Sequence, residues 1–295
     1  MSGGAGQPLW TSLELVRWTA DYFTRAGIPS ARLDAELLLA HALGCRRLDL
    51  YLQFERPIEE AERARYRELI QRRGRERVPV AQLVGEREFW SRAFTVSADV
   101  LVPRPETEIL VQATLEGPVD RVLDFGTGSG NVAAAIALER PACRVVAVDC
   151  SRKALGVAGR NLVRQGVHDR VGLVCAEGLA PVGGRFDAIV SNPPYVPTGE
   201  LAGLAPELAH EPRVALDGGP DGLVVLRRLV EEAPSRLAPG GRLLLEVGAG
   251  QAPAVRELAR AAGAEVELHR DLAGIERVVV ARFQGEASCQ SRATC

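Results

Sequence analysis

An apolar run at 186–190 leads into Ser191 and then four residues that could carry out chemistry on a planar amino group: Asn192, Pro193, Pro194 and Tyr195. Two consecutive prolines cannot continue a sheet ladder, and they hold the backbone in an extended, rigid shape. Such a corner keeps the Asn192 amide, the carbonyl oxygens of Asn192 and Pro193, and the Tyr195 ring in a fixed relation. Two acceptors and an aromatic face suit an –NH2 group. The alternative is an ordinary proline-rich turn after a strand.

A second candidate site is the glycine-rich segment that follows the apolar run 121–125. This segment consists of Gly126, Thr127, Gly128, Ser129 and Gly130. Glycines at such a turn allow a ligand to approach the backbone amides at the start of the next helix. The glycine spacing is shorter than that of the dinucleotide-binding fingerprint. Asp124, just before the loop, suits a cationic or hydroxyl-bearing ligand better than a pyrophosphate.

Asp149 ends the next predicted strand after the glycine segment. A carboxylate at that place can accept hydrogen bonds from both hydroxyl groups of a ribose. Gly-rich turns occur in many folds, and an aspartate at a strand end can simply cap the following helix. The glycine segment and Asp149 together favour a nucleoside site.

The elements that must position these residues alternate from about Val119 onward. Strands are predicted near 121–125, 144–149, 170–175, 186–191, 242–247, 264–269 and 275–283, and helices near 130–139, 151–165, 221–237 and 251–262. This alternation predicts a doubly wound, Rossmann-like α/β sheet with helices on both faces and an antiparallel final pair of strands. The first and fourth strands then lie side by side, so the glycine segment and Asn192 face one crevice. An adenosyl ligand and an acceptor nitrogen would meet there, as in a methyltransferase site.

The rest of the chain divides by composition and periodicity. Residues 1–80 are predicted to form a small helical bundle, 81–102 a β-hairpin linker and 103–284 the α/β domain. Residues 1–9 and the tail 285–295 are predicted to be disordered.

Composition indicates a soluble protein of the cytoplasm. The net charge of −2, with 46% hydrophobic and 25% charged residues, gives no general drive toward DNA or membranes. The six cysteines have no metal-binding spacing, so we expect buried free thiols and no metal site. No apolar run approaches the ~20 residues of a membrane span.

The chain resembles class I S-adenosylmethionine-dependent methyltransferases and, more closely, the HemK/PrmC family of peptide chain release factor N5-glutamine methyltransferases. The resemblance covers about residues 11–283. It is carried by the glycine segment and by 34–41, Arg87-Glu88-Phe89-Trp90, Val102-Pro103-Arg104-Pro105-Glu106-Thr107-Glu108, Ser191-Asn192-Pro193-Pro194-Tyr195, Glu211-Pro212-Arg213 and 218–222.

The resemblance implies methyl transfer from S-adenosylmethionine to the glutamine of the Gly-Gly-Gln motif in class 1 release factors, which modulates translation termination. It assigns the cofactor to Gly126, Thr127, Gly128, Ser129, Gly130, Asp149, Glu177, Gly178 and Asn192. It assigns the acceptor glutamine to Asn192, Pro193, Pro194 and Tyr195, of which Asn192, Pro193 and Tyr195 are the catalytic candidates. The N-terminal bundle would dock the body of the release factor.

One position departs from the family pattern. The family often has an acidic and then an aromatic residue near the adenine, whereas this chain has Glu177 followed by Gly178. The acidic contact is expected to persist without the aromatic one, and Phe89 or Phe125 could supply an apolar face instead.

Several features remain open on the sequence alone. An N6-adenine nucleic-acid methyltransferase and a non-catalytic adenosyl-binding protein are the competing functions. A catalytic base at His210 is not expected, because methyl transfer to an amide needs no strong base beforehand. Arg104, Glu106 and Glu108 could belong to the cofactor pocket, to a hinge or to ion pairs. The arginine-rich stretch 62–77 could be a docking face or a solvated helix face.

Overall fold

The computed structural model describes residues 10–117 and 119–283. The terminal segments predicted to be disordered, 1–9 and 285–295, lie outside the described residues. The chain forms two compact units. The first combines the residues up to Gly85 with Pro206–His210, and the second holds Glu86–Ala205 and the residues from Glu211 onward. Within the described ranges, no helix has both the length and the apolar character needed to cross a membrane.

The first unit is helical, as predicted. Its helices are α1 (Ser12–Arg25), α2 (Ala31–Leu43), α3 (Asp49–Leu52), α4 (Glu60–Gly74) and α5 (Val80–Val84). Thr11 caps α1 in a capping box with Glu14, and Gly44 ends α2 with φ of 65°. Buried aliphatic and aromatic side chains of α1, α2 and α4 pack into one core.

Part of the arginine-rich stretch 62–77 points into this unit. The buried Arg73 donates from Nε to Asp34 over 2.7 Å and from Nη1 to Glu207 over 2.8 Å. Arg77 also pairs with Glu207, at 2.7 Å. Removing one partner from a buried ion pair is costly, so these arginines hold the segment Pro206–His210 in the unit.

The second unit begins with a hairpin and continues as an alternating α/β fold. Its elements are β1 (Glu86–Phe89), β2 (Arg92–Thr95), α6 (Glu108–Leu115), β3 (Arg121–Phe125), α7 (Asn131–Glu139), β4 (Arg144–Asp149), α8 (Arg152–Arg164), β5 (Val171–Cys175), β6 (Phe186–Ser191), α9 (Val224–Glu232), β7 (Leu237–Glu246), α10 (Ala252–Ala261), β8 (Ala264–Arg270) and β9 (Glu276–Phe283).

Seven of these strands form one sheet in the order β5-β4-β3-β6-β7-β9-β8. The pairs from β5 to β7 are parallel, and β9 runs antiparallel to both of its neighbours. Two separate sets of buried apolar side chains contribute to the core of this unit. The predicted doubly wound sheet, its antiparallel final pair and the adjacency of β3 and β6 are confirmed.

The hairpin follows the short helix α5 and turns at Trp90 and Ser91, whose φ values are 52° and 54°. The fully buried Asn161 of α8 accepts from the Thr95 amide at 2.7 Å and donates to the Thr95 carbonyl at 2.9 Å. The hairpin is therefore fixed to the second unit by a paired amide side chain.

Helix α9 is shorter than the predicted span 221–237. Gly222 takes a φ of 73°, and the helix begins only at Val224. A 3₁₀ turn containing Pro234 follows the helix, and β7 already begins at Leu237. Proline and left-handed glycine conformations thus outweigh the apolar periodicity at both ends.

Candidate active site

A cavity of about 390 Å³ opens at the carboxyl ends of β3, β4 and β6. Parallel strands present their carboxyl ends at one edge, so loops from distant parts of the sequence meet there. The sequence-predicted residues that line the cavity are Gly126, Thr127, Gly128, Ser129, Asp149, Glu177, Asn192 and Pro194. Gly130, Gly178, Pro193 and Tyr195 were predicted with them but do not line it.

The glycine segment makes a tight turn between β3 and α7. The amides of Gly126 and Thr127 donate to the Val148 carbonyl at 2.8 and 2.9 Å, which joins the turn to β4. Gly130 precedes α7 with φ of 77°, and a β-carbon there would lie 3.1 Å from the side chain of Ala158. Gly130 thus serves close packing against α8 and stands back from the cavity.

Asp124 lies beneath this turn and is fully buried. Its Oδ2 accepts from the Thr127 hydroxyl at 2.6 Å and from the Ala133 amide at 3.2 Å. Burial raises the pKa of Asp124 from 3.8 to about 7, and the negative charge of Asp149 adds to the rise. Asp124 therefore joins the turn to the first turn of α7 while it lines the cavity.

Asp149 ends β4 on the cavity wall, and both of its carboxylate oxygens accept backbone hydrogen bonds. Oδ2 accepts from the Gly128 amide at 2.9 Å, and Oδ1 accepts from the Ser151 amide at 2.8 Å. Each carboxylate oxygen can accept a second hydrogen bond. The side chain thus orients the glycine segment and still has capacity for a ligand hydroxyl.

Asn192 follows β6 directly beside the glycine segment. Phe125 and Ser191, the last residues of β3 and β6, are opposite each other in the parallel register. A β-carbon at Gly126 would lie 4.0 Å from the Asn192 carbonyl oxygen. The Asn192 amide nitrogen donates to the Thr107 hydroxyl at 3.1 Å. The two sequence-predicted halves of the site are therefore adjacent.

The other members of the corner take different positions. Pro194 lines the cavity, whereas Pro193 is buried. The Tyr195 ring packs against the buried side chains of the second core cluster, and its Cδ2 would lie 3.1 Å from a β-carbon at Gly248. Burial raises the pKa of Tyr195, so the hydroxyl stays neutral.

The cavity wall near Glu177 includes a positively charged side chain. Arg228 of α9 lines the cavity, donates from Nη2 to the Glu177 carbonyl at 3.2 Å and pairs with Glu232 at 2.7 Å. Phe125 also lines the cavity, whereas Phe89 is buried in the hydrophobic core.

The segment Val102–Glu108 is held by Glu211, for which the sequence suggested no role. One carboxylate oxygen of the buried Glu211 accepts from Arg104 at 2.6 Å, and the other accepts from the Val102 amide at 3.1 Å. Arg104 lines the cavity, while Glu108 accepts from the Trp90 amide at 2.8 Å. Arg104 is thus both ion-paired and part of the cavity wall.

The sequence did not indicate a role for two further side chains, Asn161 and Glu246, because their residue types and spacing match no functional motif. The buried Asn161 donates to the Ser129 carbonyl at 2.8 Å and so supports the glycine segment. The buried Glu246 ends β7 beside the end of β6.

His210, in the first unit, forms a hydrogen bond with the Glu76 carbonyl at 2.7 Å.

Comparisons with known proteins agree with this arrangement. The chain matches the PrmC N-terminal domain family over residues 14–85 and the methyltransferase small domain family over residues 104–220. A protein of Rhodopirellula baltica named release factor glutamine methyltransferase is 45% identical over 284 residues, covering 92% of this chain and 95% of that protein. One of the same name from Cereibacter sphaeroides is 46% identical over 260 residues, covering 88% and 93%.

A solved structure supports the fold alone. The crystal structure of a methyltransferase from Pyrococcus furiosus matches with a TM-score of 0.51 at 23% identity, covering 65% of this chain and 88% of that one. The sequence relatives carry the assignment further, because they are similar over nearly their whole length. This chain belongs to the release factor glutamine methyltransferase family, the HemK/PrmC family of methyltransferases.

Proposed function

We propose that this protein transfers a methyl group from S-adenosylmethionine to the side-chain nitrogen of the glutamine in the Gly-Gly-Gln motif of class 1 peptide chain release factors. The observation that carries the proposal is the adjacency of the glycine segment and Asn192 at the ends of β3 and β6, on one cavity. The names of the similar proteins point to the same substrate.

Two features of the cavity support the binding of an adenosyl cofactor. Its volume of about 390 Å³ lies within the usual range for small-molecule sites. Asp149 would accept the ribose hydroxyls, and Gly126 and Gly128 would let the ligand approach the backbone closely. Bound there, S-adenosylmethionine would supply a methyl group activated by its sulfonium charge.

We propose that the guanidinium group of Arg228 stacks on the plane of the adenine. The chain lacks the aromatic residue that the family often has after the acidic one, and a guanidinium is planar and stacks on aromatic rings. Its pairing with Glu232 would keep the plane oriented, with Glu177 beside it.

Asn192 and Pro193 would orient the acceptor. An amide nitrogen is a poor nucleophile because its lone pair is delocalised into the carbonyl group. The Asn192 side-chain oxygen and the Pro193 carbonyl oxygen would accept its two N–H bonds, while Pro194 borders the cavity and Tyr195 stabilises the corner from behind. Alignment of two reactants in this way can lower the activation free energy by up to ~7–11 kcal/mol.

The first unit is proposed to bind the body of the release factor. Large apolar side chains that remain exposed there include Leu48, Tyr51, Leu52 and Phe54, and we call these four the apolar patch. Exposed apolar surface of this kind marks protein–protein contact sites.

Labelled methyl transfer tests the proposed function. The full chain would be incubated with radiolabelled S-adenosylmethionine and either a class 1 release factor, the same factor with the motif glutamine replaced by alanine, or a DNA duplex. Label in the first substrate alone is expected. Label in DNA and none in the release factor would favour the N6-adenine alternative, and label in no substrate would favour a binding protein.

A further inference from the structure

A single buried side chain joins two parts of the second unit that are distant in sequence. Asn161 of α8 is fully buried, and its side-chain amide makes three hydrogen bonds. Its Oδ1 accepts from the Thr95 amide at 2.7 Å, while its Nδ2 donates to the Thr95 carbonyl at 2.9 Å and to the Ser129 carbonyl at 2.8 Å. Thr95 ends β2 and Ser129 belongs to the glycine segment, so one amide group connects the hairpin with that segment.

The three partners determine the direction of the Asn161 amide. Two of them are carbonyl oxygens, which need a donor, and the third is a backbone N–H group, which needs an acceptor. A flipped amide would place its oxygen against the carbonyl oxygens and its –NH2 group against the Thr95 amide. Because both protons of Nδ2 are already donated, a displacement of Ser129 or of Thr95 disturbs the bonds to the other.

Both connected parts of the chain lead to the cavity wall. Ser129 lines the cavity as a member of the glycine segment. The chain continues from Thr95 through the buried Val96 to residues 99–104, which we call the wall segment. The members of the wall segment that line the cavity are Asp99, Val100, Leu101, Pro103 and Arg104. Asn161 itself does not line the cavity, so any effect on a ligand acts through these two segments.

We infer that Asn161 is a positioning residue for S-adenosylmethionine, which holds the wall segment and the glycine segment in the relative placement that binds the cofactor. The inference rests on the proposed function for the identity of the cofactor. Coupling between two parts of a protein is reciprocal in binding free energy. If the cofactor binds more tightly when Asn161 holds the end of β2, the bound cofactor must stabilise the Asn161–Thr95 bonds by the same factor.

Helix α8 also offers a matched control for this role. The Gln165 side chain donates from Nε2 to the Ala93 carbonyl of β2 at 2.8 Å, and this is its hydrogen bond among the described residues. Gln165→Ala therefore removes a bond between the same helix and the same strand and leaves the glycine segment untouched. Lys153 Nζ lies 3.7 Å from Asp99 Oδ1, but both side chains are exposed, and such ion pairs contribute little.

Calorimetry with three variants of the full chain tests the effect on the cofactor. Asn161→Ala removes all three hydrogen bonds and should weaken S-adenosylmethionine binding by about 5-fold or more, as for a coupling of ordinary size. Asn161→Leu fills the space without restoring the bonds and should show the same loss. Gln165→Ala should keep the wild-type dissociation constant, even where it lowers thermal stability.

Hydrogen exchange tests the coupling in the wild type, so this result does not depend on the folding of an Asn161 variant. Exchange of the Thr95 amide requires its hydrogen bond with Asn161 to open. Saturating S-adenosylmethionine should slow this exchange by about 5-fold or more, because the coupling is reciprocal. The same slowing is expected in Gln165→Ala and none in Asn161→Ala, and NMR resolves the exchange of this single amide.

The possible outcomes separate the inference from the proposed function. Thr95 exchange in the wild type that does not respond to S-adenosylmethionine would overturn the inference, even if Asn161→Ala cannot be folded. Equal cofactor affinities for Asn161→Ala and Gln165→Ala, with lower stability in both, would also overturn it and show a purely structural role. A wild-type protein that shows the predicted slowing but methylates no release factor would refute the proposed function and leave the role of Asn161 supported.

Discussion

The guanidinium group of Arg228 fills the space that a side chain at position 178 would occupy. A β-carbon built on Gly178 would overlap the Nη2 atom of Arg228, and Gly178 has φ of 83°, a conformation that favours glycine. The aromatic residue that the family often carries here is therefore incompatible with this position of Arg228. The exchange of an aromatic ring for a guanidinium leads to the first prediction.

Arg228→Ala is expected to weaken S-adenosylmethionine binding by about 5- to 10-fold, because a stacked guanidinium contributes roughly 1 kcal/mol at a partly exposed site. Isothermal titration calorimetry measures the affinity. Arg227→Ala is the matched control, since its neighbouring side chain pairs with Asp221 and does not line the cavity. Equal affinities for the two variants would remove Arg228 from the adenine site.

Asp149→Ala should weaken cofactor binding more strongly. The variant loses the acceptor for the ribose and also the carboxylate that holds the amides of Gly128 and Ser151. A charged hydrogen-bonded group contributes ~1.5–3 kcal/mol, which corresponds to about 10- to 150-fold in the dissociation constant. Asp169→Ala, at an exposed aspartate, serves as the control. An unchanged dissociation constant for Asp149→Ala would place the cofactor elsewhere.

Asp124 should make the fold less stable at higher pH. Its folded-state pKa of about 7 lies above the ordinary value of 3.8, so the folded state holds this proton more tightly than the unfolded state. That contribution is complete below about pH 4 and is lost as the pH rises to about 7. In Asp124→Asn the free energy of unfolding should fall less over this range, and urea unfolding at several pH values measures it.

The buried Glu246 has a raised pKa and contributes in the same direction, so Asp124→Asn should reduce the pH dependence without removing it. Asp120→Asn, at an exposed aspartate beside β3, is the control and should behave as the wild type. If Asp124→Asn and the wild type lose the same stability between about pH 4 and about pH 7, Asp124 is ionised throughout and this assignment is wrong.

The apolar patch should determine affinity for the protein substrate. The double variant Leu52→Glu, Phe54→Glu replaces side chains that are 68% and 49% exposed, so the fold should tolerate it. We expect KM for release factor to rise about 10-fold or more with kcat at saturation unchanged, as for loss of a contact hot spot. Leu272→Glu, at a fully exposed leucine of the second unit, is the control. An unchanged KM in the double variant would exclude the patch from docking.

The sequence predicted those parts of the molecule that depend on local pattern. The alternation of strands and helices located every strand of the seven-stranded sheet, and the glycine segment and Asn192 identified the crevice between β3 and β6. These features could be read because periodicity and strand-end residues have direct structural meaning.

The supporting side chains could not be predicted in the same way. Asn192 meets Thr107 across 85 positions of sequence, and Glu211 meets Arg104 across 107. Arg228 reaches Gly178 from α9, and its own neighbours in sequence gave no sign of this. Such contacts depend on the packing of whole elements, which no local spacing encodes.

The most direct test of the proposed function concerns Asn192. Wild-type protein and Asn192→Ala would each be incubated with S-adenosylmethionine and a class 1 release factor, and the factor would then be analysed by peptide mass spectrometry. We predict one added methyl group on the Gly-Gly-Gln glutamine with the wild type. With Asn192→Ala we predict a methylation rate that is lower by about 100-fold or more, although much of the cofactor affinity remains. Methylation of that glutamine by Asn192→Ala at the wild-type rate would contradict the proposed role of Asn192.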